Sequence, residues 1–310
     1  MMNSTIDVIG LGELLWDCFP DERRPGGAPA NVAFHAQQLG LSAAVATRVG
    51  CDPLGEELLQ FLAQQGLSTD LVQRDAEHGT GTVTVNPGAD GTRYEFLENS
   101  AWDFLAKEDL WLSAMATARA VCFGTLAQRG EVSRRTIHAC IAATSSECLR
   151  VYDVNLRPPF YQREWIEASL RLATLVKLND DEVTVLATMF QRPPTSDVEF
   201  ARWMLENYQL DLVCITRGPG GAAAVSAEET CETSGIAIQV ADTVGAGDAF
   251  TAGLIWARLN HWTLGRGLHL ASQIGALVAS RPGAMPVLEG ELAELKNRVP
   301  NRSSLGETRR

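Results

Sequence analysis

The chain alternates between short, almost wholly apolar runs and longer stretches in which apolar residues return every three or four positions. The runs "IDVIGLG", "AAVATRV", "AVCFGT", "RVYDVNL", "TLVKLN" and "DLVCITRG" are rich in β-branched residues, and several close on Gly, Asn or Asp. Continuous apolarity without a polar face suits strands covered on both sides, as in a parallel sheet. "PANVAFHAQQLG", "PLGEELLQFLAQQG", "SDVEFARWMLENY" and "GDAFTAGLIWARLN" carry the helical period, and the first two stop at a glycine. Strand and helix in alternation predict an α/β fold, a three-layer sandwich around a mostly parallel central sheet.

One segment breaks this rhythm. "GTGTVTVNPGADGTRYEFLENSAWDFL", residues 79–105, alternates with period two and carries a turn signal at "NPGADGT". It reads as an antiparallel hairpin that, with residues of about 12–26, forms a small β lid apart from the main sheet. There is no linker and no repeat, so residues 1–298 read as one domain with the lid inserted, and residues 299–310 as a loose tail. An exposed lid edge also offers a surface for a homodimer.

Composition narrows the classes. A chain of 310 residues with 45% hydrophobic and 21% charged positions has the balance of a globular domain. Its formal net charge of −12 argues against a nucleic-acid surface. The start "MMNSTIDVIGLGELL" has no basic leader pattern, and no window is apolar enough to span a bilayer. Both point to a cytoplasmic protein without membrane partners. Seven cysteines, Cys18, Cys51, Cys122, Cys140, Cys148, Cys214 and Cys231, are scattered and lack C-x-x-C spacing, so they read as reduced thiols. The five histidines show no ligand spacing either.

Candidate chemistry begins at "DTVGAGDAF". Gly245, Ala246 and Gly247 precede Asp248 and run into a helix, so their N–H groups and the helix dipole converge on an anion-attracting point that also holds a carboxylate. Alone, this is more often a capped helix than a site. No G-x-x-x-x-G-K-[ST] occurs, and "GLGELL" lacks the third glycine of a dinucleotide fingerprint and brings Glu13 and Asp17 instead. Asp17 is placed at the end of the first strand. In "GGAPANVAFHAQQLG" two glycines precede a helix carrying Asn31, and "KLNDDE" sets Asn179 and Glu182 three apart, a spacing that also suits a capping box.

Together and in this order, these motifs resemble the PfkB-type, ribokinase-like carbohydrate kinases, and the resemblance runs from about residue 6 to about residue 298. "GELLWDCFP", "GGAPANVAFHAQQLG" and "YDVNLRPPFY" are most similar to bacterial fructokinases. The resemblance implies transfer of the ATP γ-phosphate to a sugar hydroxyl, with fructose the first expectation and a 2-keto-3-deoxygluconate or ribokinase-type kinase the alternative. It makes Asp248 the proton acceptor and Gly245, Ala246 and Gly247 the anion hole, a division of labour suited to a loose phosphoryl-transfer transition state.

Further assignments follow from the same resemblance. Asp17, Gly27, Asn31, Asp103 and Arg157 would meet the sugar, with Arg157 suited equally to phosphate. Asn179, Thr216, Gly218, Gly221 and Ser272 would meet the nucleotide. Asn179 and Glu182 would organise Mg²⁺ through water. Asp242 would adjoin a monovalent cation such as K⁺, although Ser272 and Val287 depart from the usual residues there. A binding protein without catalysis would be expected to lose the base or the glycines, and both are present. A hydroxymethylpyrimidine- or pyridoxal-type kinase would usually lack the lid and the G-G-x-x-x-N stretch.

Overall fold

A computed structural model of the chain describes residues 6–86, 93–192 and 196–298. Along it run strands β1 (Val8–Leu11), β2 (Leu15–Cys18), β3 (Arg23–Gly26), β4 (Ala43–Gly50), β5 (Val72–Asp75), β6 (Gly81–Asn86), β7 (Arg93–Phe96), β8 (Ala120–Gly124), β9 (Leu149–Asp153), β10 (Leu175–Asn179), β11 (Leu212–Thr216), β12 (Ala222–Val225) and β13 (Thr230–Thr233). The main sheet has nine strands in the order β13-β12-β11-β10-β9-β8-β1-β4-β5. It is parallel from β5 to β11, and β12 and β13 continue it antiparallel.

The expected sandwich follows from the two apolar faces of these strands. Helices α1 (Ala28–Gln38), α2 (Pro53–Gln64), α8 (Ala246–Leu259), α9 (Leu264–Ala279) and α10 (Glu289–Arg298) cover the face that carries Val8, Val45, Cys122 and Val151. Helices α3 (Asp109–Thr117), α4 (Glu131–Ala142), α5 (Arg163–Leu172), α6 (Asp180–Met189) and α7 (Asp197–Tyr208) cover the opposite face, against Ile9, Leu11, Phe123 and Tyr152. Neighbouring residues such as Val8 and Ile9 therefore serve different cores, which is why the strands read as unbroken apolar runs. No described helix is long and apolar enough to cross a membrane.

A second sheet of four strands, β3-β2-β6-β7, forms the lid. β2 pairs antiparallel with β3, and β6 with β7, while the two hairpins join through a parallel β2–β6 contact. The turn expected at "NPGADGT" lies almost wholly outside the described residues, as does the tail 299–310. Asp17 belongs to this lid sheet and not to the end of the first strand, as its sequence position suggested. The chain leaves the main sheet at Gly12, whose φ of 149° opens a path denied to most side chains, and starts a new strand at Leu15.

The site is positioned by topology. From β1 the chain builds outward through β4 and β5, then returns to the other side of β1 and proceeds through β8 to β11. The order in which strands are added reverses between β1 and β8, and in such sheets ligands gather at the carboxyl ends of the strands beside that reversal.

The lid is tied to the body by Asp52, the N-cap of α2. Its carboxylate accepts from the Gly55 N–H at 2.8 Å, the Thr80 N–H at 2.7 Å and the Thr80 hydroxyl at 2.7 Å. Asp52→Ala removes the cap and the anchor of β6 together. The expected loss is about 1–2 kcal/mol from the cap alone, read as a lowered midpoint in urea.

Candidate active site

The carboxyl ends of β1, β9, β10 and β11 deliver Glu13, Asp153, Asn179 and Thr216 to one edge of the sheet, and α8 brings its N-terminus to the same edge. Gly245 caps α8 in the left-handed region, with φ 78°, and a Cβ there would fall 2.6 Å from Ala284 Cα. Only glycine fits this turn. A Cβ on Gly247 would stand 3.0 Å from Lys177 Nζ, so a lysine ammonium lies directly against the glycine turn.

Asp248 is buried in the first turn of α8, where its Oδ2 accepts from Asn31 Nδ2 at 2.7 Å. This bond joins the sugar-motif helix α1 to the glycine-turn helix α8, residues 217 apart in sequence. Burial, reinforced by the negative charge of Asp153, pushes the Asp248 carboxyl up to about 6, against the pull of Asn31, Lys177 and Arg157. A carboxylate raised this far is matched to proton transfer near neutral pH.

Lys177 and Asp153 were not singled out from sequence. Lys177 Nζ donates to Asp153 Oδ1 at 3.2 Å, and both are buried. Burial works against the ammonium, yet Asp153, Glu182 and Asp248 outweigh it and hold Lys177 above the ordinary lysine range. Thr251 Oγ1, one turn along α8, lies 2.9 Å from Asp153 Oδ2 and 3.0 Å from the Gly247 carbonyl. The available signal was a lysine and an aspartate inside apolar strand runs, since charged residues are seldom buried without a partner.

Asp17 lies nearby in the lid. Burial raises its carboxyl to about 6, with Arg157 opposing and Asp248 adding to the rise. A Cβ on Gly26 would sit 2.4 Å from Asp17 Oδ2, so the glycine pair lets that carboxylate lie against the backbone. Gly27, the N-cap of α1, has φ 112°. Arg157 is exposed, and its Nη1 donates to its neighbour's carbonyl at Leu156.

Asn179 and Glu182 form the capping box that their spacing allowed. Asn179 Oδ1 accepts the Glu182 N–H at 2.8 Å, Glu182 Oε2 accepts the Asn179 N–H at 2.8 Å, and Glu182 Oε1 accepts the Leu156 N–H at 2.7 Å. Burial raises the Glu182 carboxyl, with Lys177 opposing. Among the described residues no three acids, histidines or cysteines cluster as a metal cage. A Mg²⁺ here would take most of its shell from phosphate and water, with Glu182 in reach of that role because each oxygen keeps a free lone pair.

Two further candidates, Asp103 and Asp242, already have partners, and a third, Ser272, has none. Asp103 forms a two-point ion pair with Arg129, at 2.8 and 2.7 Å, and Oδ2 also accepts the Ser100 N–H at 3.0 Å. Arg129 in turn stacks on Trp102, 4.0 Å from its ring centre, and donates to the Leu97 carbonyl. Asp242 receives Arg24 Nη1 at 3.1 Å and the N–H groups of Gly283 and Val244 at 3.0 Å each. Arg24 is shared between Asp242 and Glu22. Ser272 Oγ, on α9, is buried without a hydrogen-bond partner.

Thr216 ends β11, and Gly218 and Gly221 follow with φ 52° and 94°. A Cβ on Gly218 would meet nothing within 4 Å, whereas one on Gly221 would strike the Thr233 carbonyl oxygen at 1.9 Å. Gly218 thus borders open space, and Gly221 is required by packing.

The buried ion pair generates a stability test. Lys177→Met leaves Asp153 uncompensated and is expected to cost about 3–5 kcal/mol. Lys177→Met combined with Asp153→Leu should recover much of that loss, measured by denaturant midpoints of the two single variants and the double.

Residues 4–289 match the model described as pfkB family carbohydrate kinase. The chain is 31% identical over 307 residues to a fructokinase of Salmonella typhimurium, covering 93% of this chain and 97% of that one. Among solved structures it superposes on a Vibrio cholerae O395 fructokinase in a fructose, ADP and calcium ion bound form, with TM-score 0.79, 26% identity, and coverage of 96% and 100%. A Xylella fastidiosa fructokinase with bound ATP shares the fold, with TM-score 0.83 at 22% identity over 95% and 99% of the two chains.

Proposed function

This chain belongs to the pfkB family of carbohydrate kinases, phosphotransferases that act on a sugar hydroxyl, and on that basis we propose that it is an ATP-dependent fructokinase forming fructose 6-phosphate. The observation that carries the reading is the buried Asp248, held by Asn31 at the N-terminus of a helix whose glycine turn lies against a lysine ammonium. A base and an electropositive turn side by side are what a hydroxyl and a phosphoryl group require in order to react.

Asp248 Oδ2 is fixed by Asn31, which leaves Oδ1 to receive the proton of the attacking hydroxyl. The new bond joins the sugar oxygen to the γ-phosphorus, and the bond to the leaving ADP oxygen breaks. Gly245 and Gly247 present backbone N–H groups to the charge that develops, with Ala246, whose N–H donates to the Thr243 carbonyl at 3.3 Å, in the turn between them, and Lys177 adds an ammonium behind them. Asp17, Gly27, Asn31 and Arg157 receive the sugar. Asp103 is assigned to the lid base through Arg129, because its oxygens are already engaged. Thr216, Gly218, Gly221 and Ser272 border the nucleotide. Glu182 and Asn179 would hold Mg²⁺, which would supply charge neutralisation on the phosphates.

Two tests follow. Asp248 acts only when ionised, so kcat/KM for the sugar should climb through about pH 6 and level off above it. Asp153→Asn, by removing a neighbouring negative charge, should move that limb to lower pH. Asp248→Asn should lower kcat by about 10²- to 10⁴-fold with sugar and ATP binding retained; a variant keeping a third of wild-type turnover would remove the base from this scheme.

The substrate is read from ADP release over fructose, ribose, 2-keto-3-deoxygluconate, tagatose, adenosine and the fructose phosphates. Fructose should be turned over best, because Asp17 would repel a phosphate dianion. Efficient use of fructose 6-phosphate or 1-phosphate with fructose inert would leave the family assignment standing and end the fructokinase reading.

A further inference from the structure

The segment "GELLWD" brings two acids to this region, and Glu13 has no part in the scheme above. Glu13 is 3% exposed. Its Oε1 accepts the Ala28 N–H at 3.3 Å, at the start of α1, where the N-cap Gly27 has no side chain to do so. Its Oε2 is buried and has no hydrogen-bond partner.

An unpartnered buried carboxylate oxygen is costly unless something else supplies a donor. Burial lifts the Glu13 carboxyl to about 7, with its own N–H, the Ala28 N–H and Arg157 opposing and Asp248 adding to the rise. Asp248 and Arg157 act on Asp17 as well, so Glu13 shares the electrostatic surroundings of the proposed sugar site. A second acceptor is in the same condition: Asn31 gives Nδ2 to Asp248 and leaves Oδ1 buried without a donor. Gly27, between them, has no side chain, and a Cβ there would collide with the Glu13 carbonyl oxygen at 2.4 Å. Two buried acceptors flanking a glycine turn match a ligand that carries several hydroxyl donors on one face.

We propose that Glu13 is a sugar-contacting, specificity-determining residue: Oε1 fixes the start of α1, and Oε2 receives a hydroxyl of the bound sugar. The proposal rests on the sugar-kinase reading. It adds a hydroxyl-reading carboxylate that is distinct from Asp17 and from the base.

The test pairs Glu13→Gln with single hydroxyl deletions on the sugar. Gln keeps an acceptor for the Ala28 N–H and loses the carboxylate. With the best sugar, Glu13→Gln should lower kcat/KM by about ten- to a hundredfold, mostly through KM for the sugar, and leave KM for ATP unchanged. For one monodeoxy analogue the variant and wild type should differ by less than about threefold, because the hydroxyl that Glu13 reads is gone. The thermal midpoint of each protein is recorded alongside, and Glu13→Asp, which withdraws the carboxylate by one methylene, serves as a second variant. A penalty of equal size on every sugar and analogue, or a lowered thermal midpoint with unchanged sugar KM, makes Glu13 a helix cap only and overturns the proposal. Wild type inactive on every sugar overturns the kinase reading and this proposal with it, whereas active wild type matched by Glu13→Gln overturns this proposal alone.

Discussion

A buried ammonium governs the arrangement of this site. Lys177 sits inside a parallel strand with Asp153 as its partner, and neither charge would survive there alone. Once present, the pair sets the charge balance for its surroundings. Asp248 lies between the negative charge of Asp153, which raises its carboxyl, and the positive charge of Lys177, which restrains that rise. Thr251 extends the network to the Gly247 carbonyl, so the glycine turn is anchored by the same groups that tune the Asp248 carboxyl. Position and basicity are thus coupled through one set of contacts.

The sheet makes this coupling available. Because the strand order reverses beside β1, loops from both halves of the chain open toward the same edge, and α8 points its N-terminus there from the opposite end of the sequence. The bond from Asn31 to Asp248 then crosses from the helix behind the glycine pair to the helix behind the glycine turn. The small sheet carries Asp17, and Arg129 binds Asp103 and the Leu97 carbonyl beside it.

The acids near the site divide by whether their oxygens are spoken for. Asp103 and Asp242 spend their acceptors on guanidinium and backbone N–H groups, and each holds a loop in place. Glu13 and Asp17 are raised by burial without comparable compensation, and Glu13 keeps an oxygen with no partner. Unmet hydrogen-bonding capacity in a buried place is where ligand chemistry has room to act.

Local pattern was enough for the frame. The runs "AVCFGT", "RVYDVNL", "TLVKLN" and "DLVCITRG" became β8 to β11, and the period-two segment became the β6–β7 hairpin, because burial on two faces and on one face leave different signatures in the chain. The glycine turn before Asp248 and the capping spacing of Asn179 and Glu182 were legible for the same reason, since each is a contact between residues only a few positions apart. What lay beyond the sequence was every pairing made across the fold. It placed Asp17 near the end of β1, whereas the chain leaves the main sheet at Gly12 and carries Asp17 into the lid. It gave no sign that Arg129 pairs with Asp103, or that Arg24, 218 residues away, pairs with Asp242. It passed over Lys177 and Asp153 as parts of apolar strands. A charge states its partner only in three dimensions, because electrostatics and hydrogen bonding depend on distance through space and not on separation along the chain.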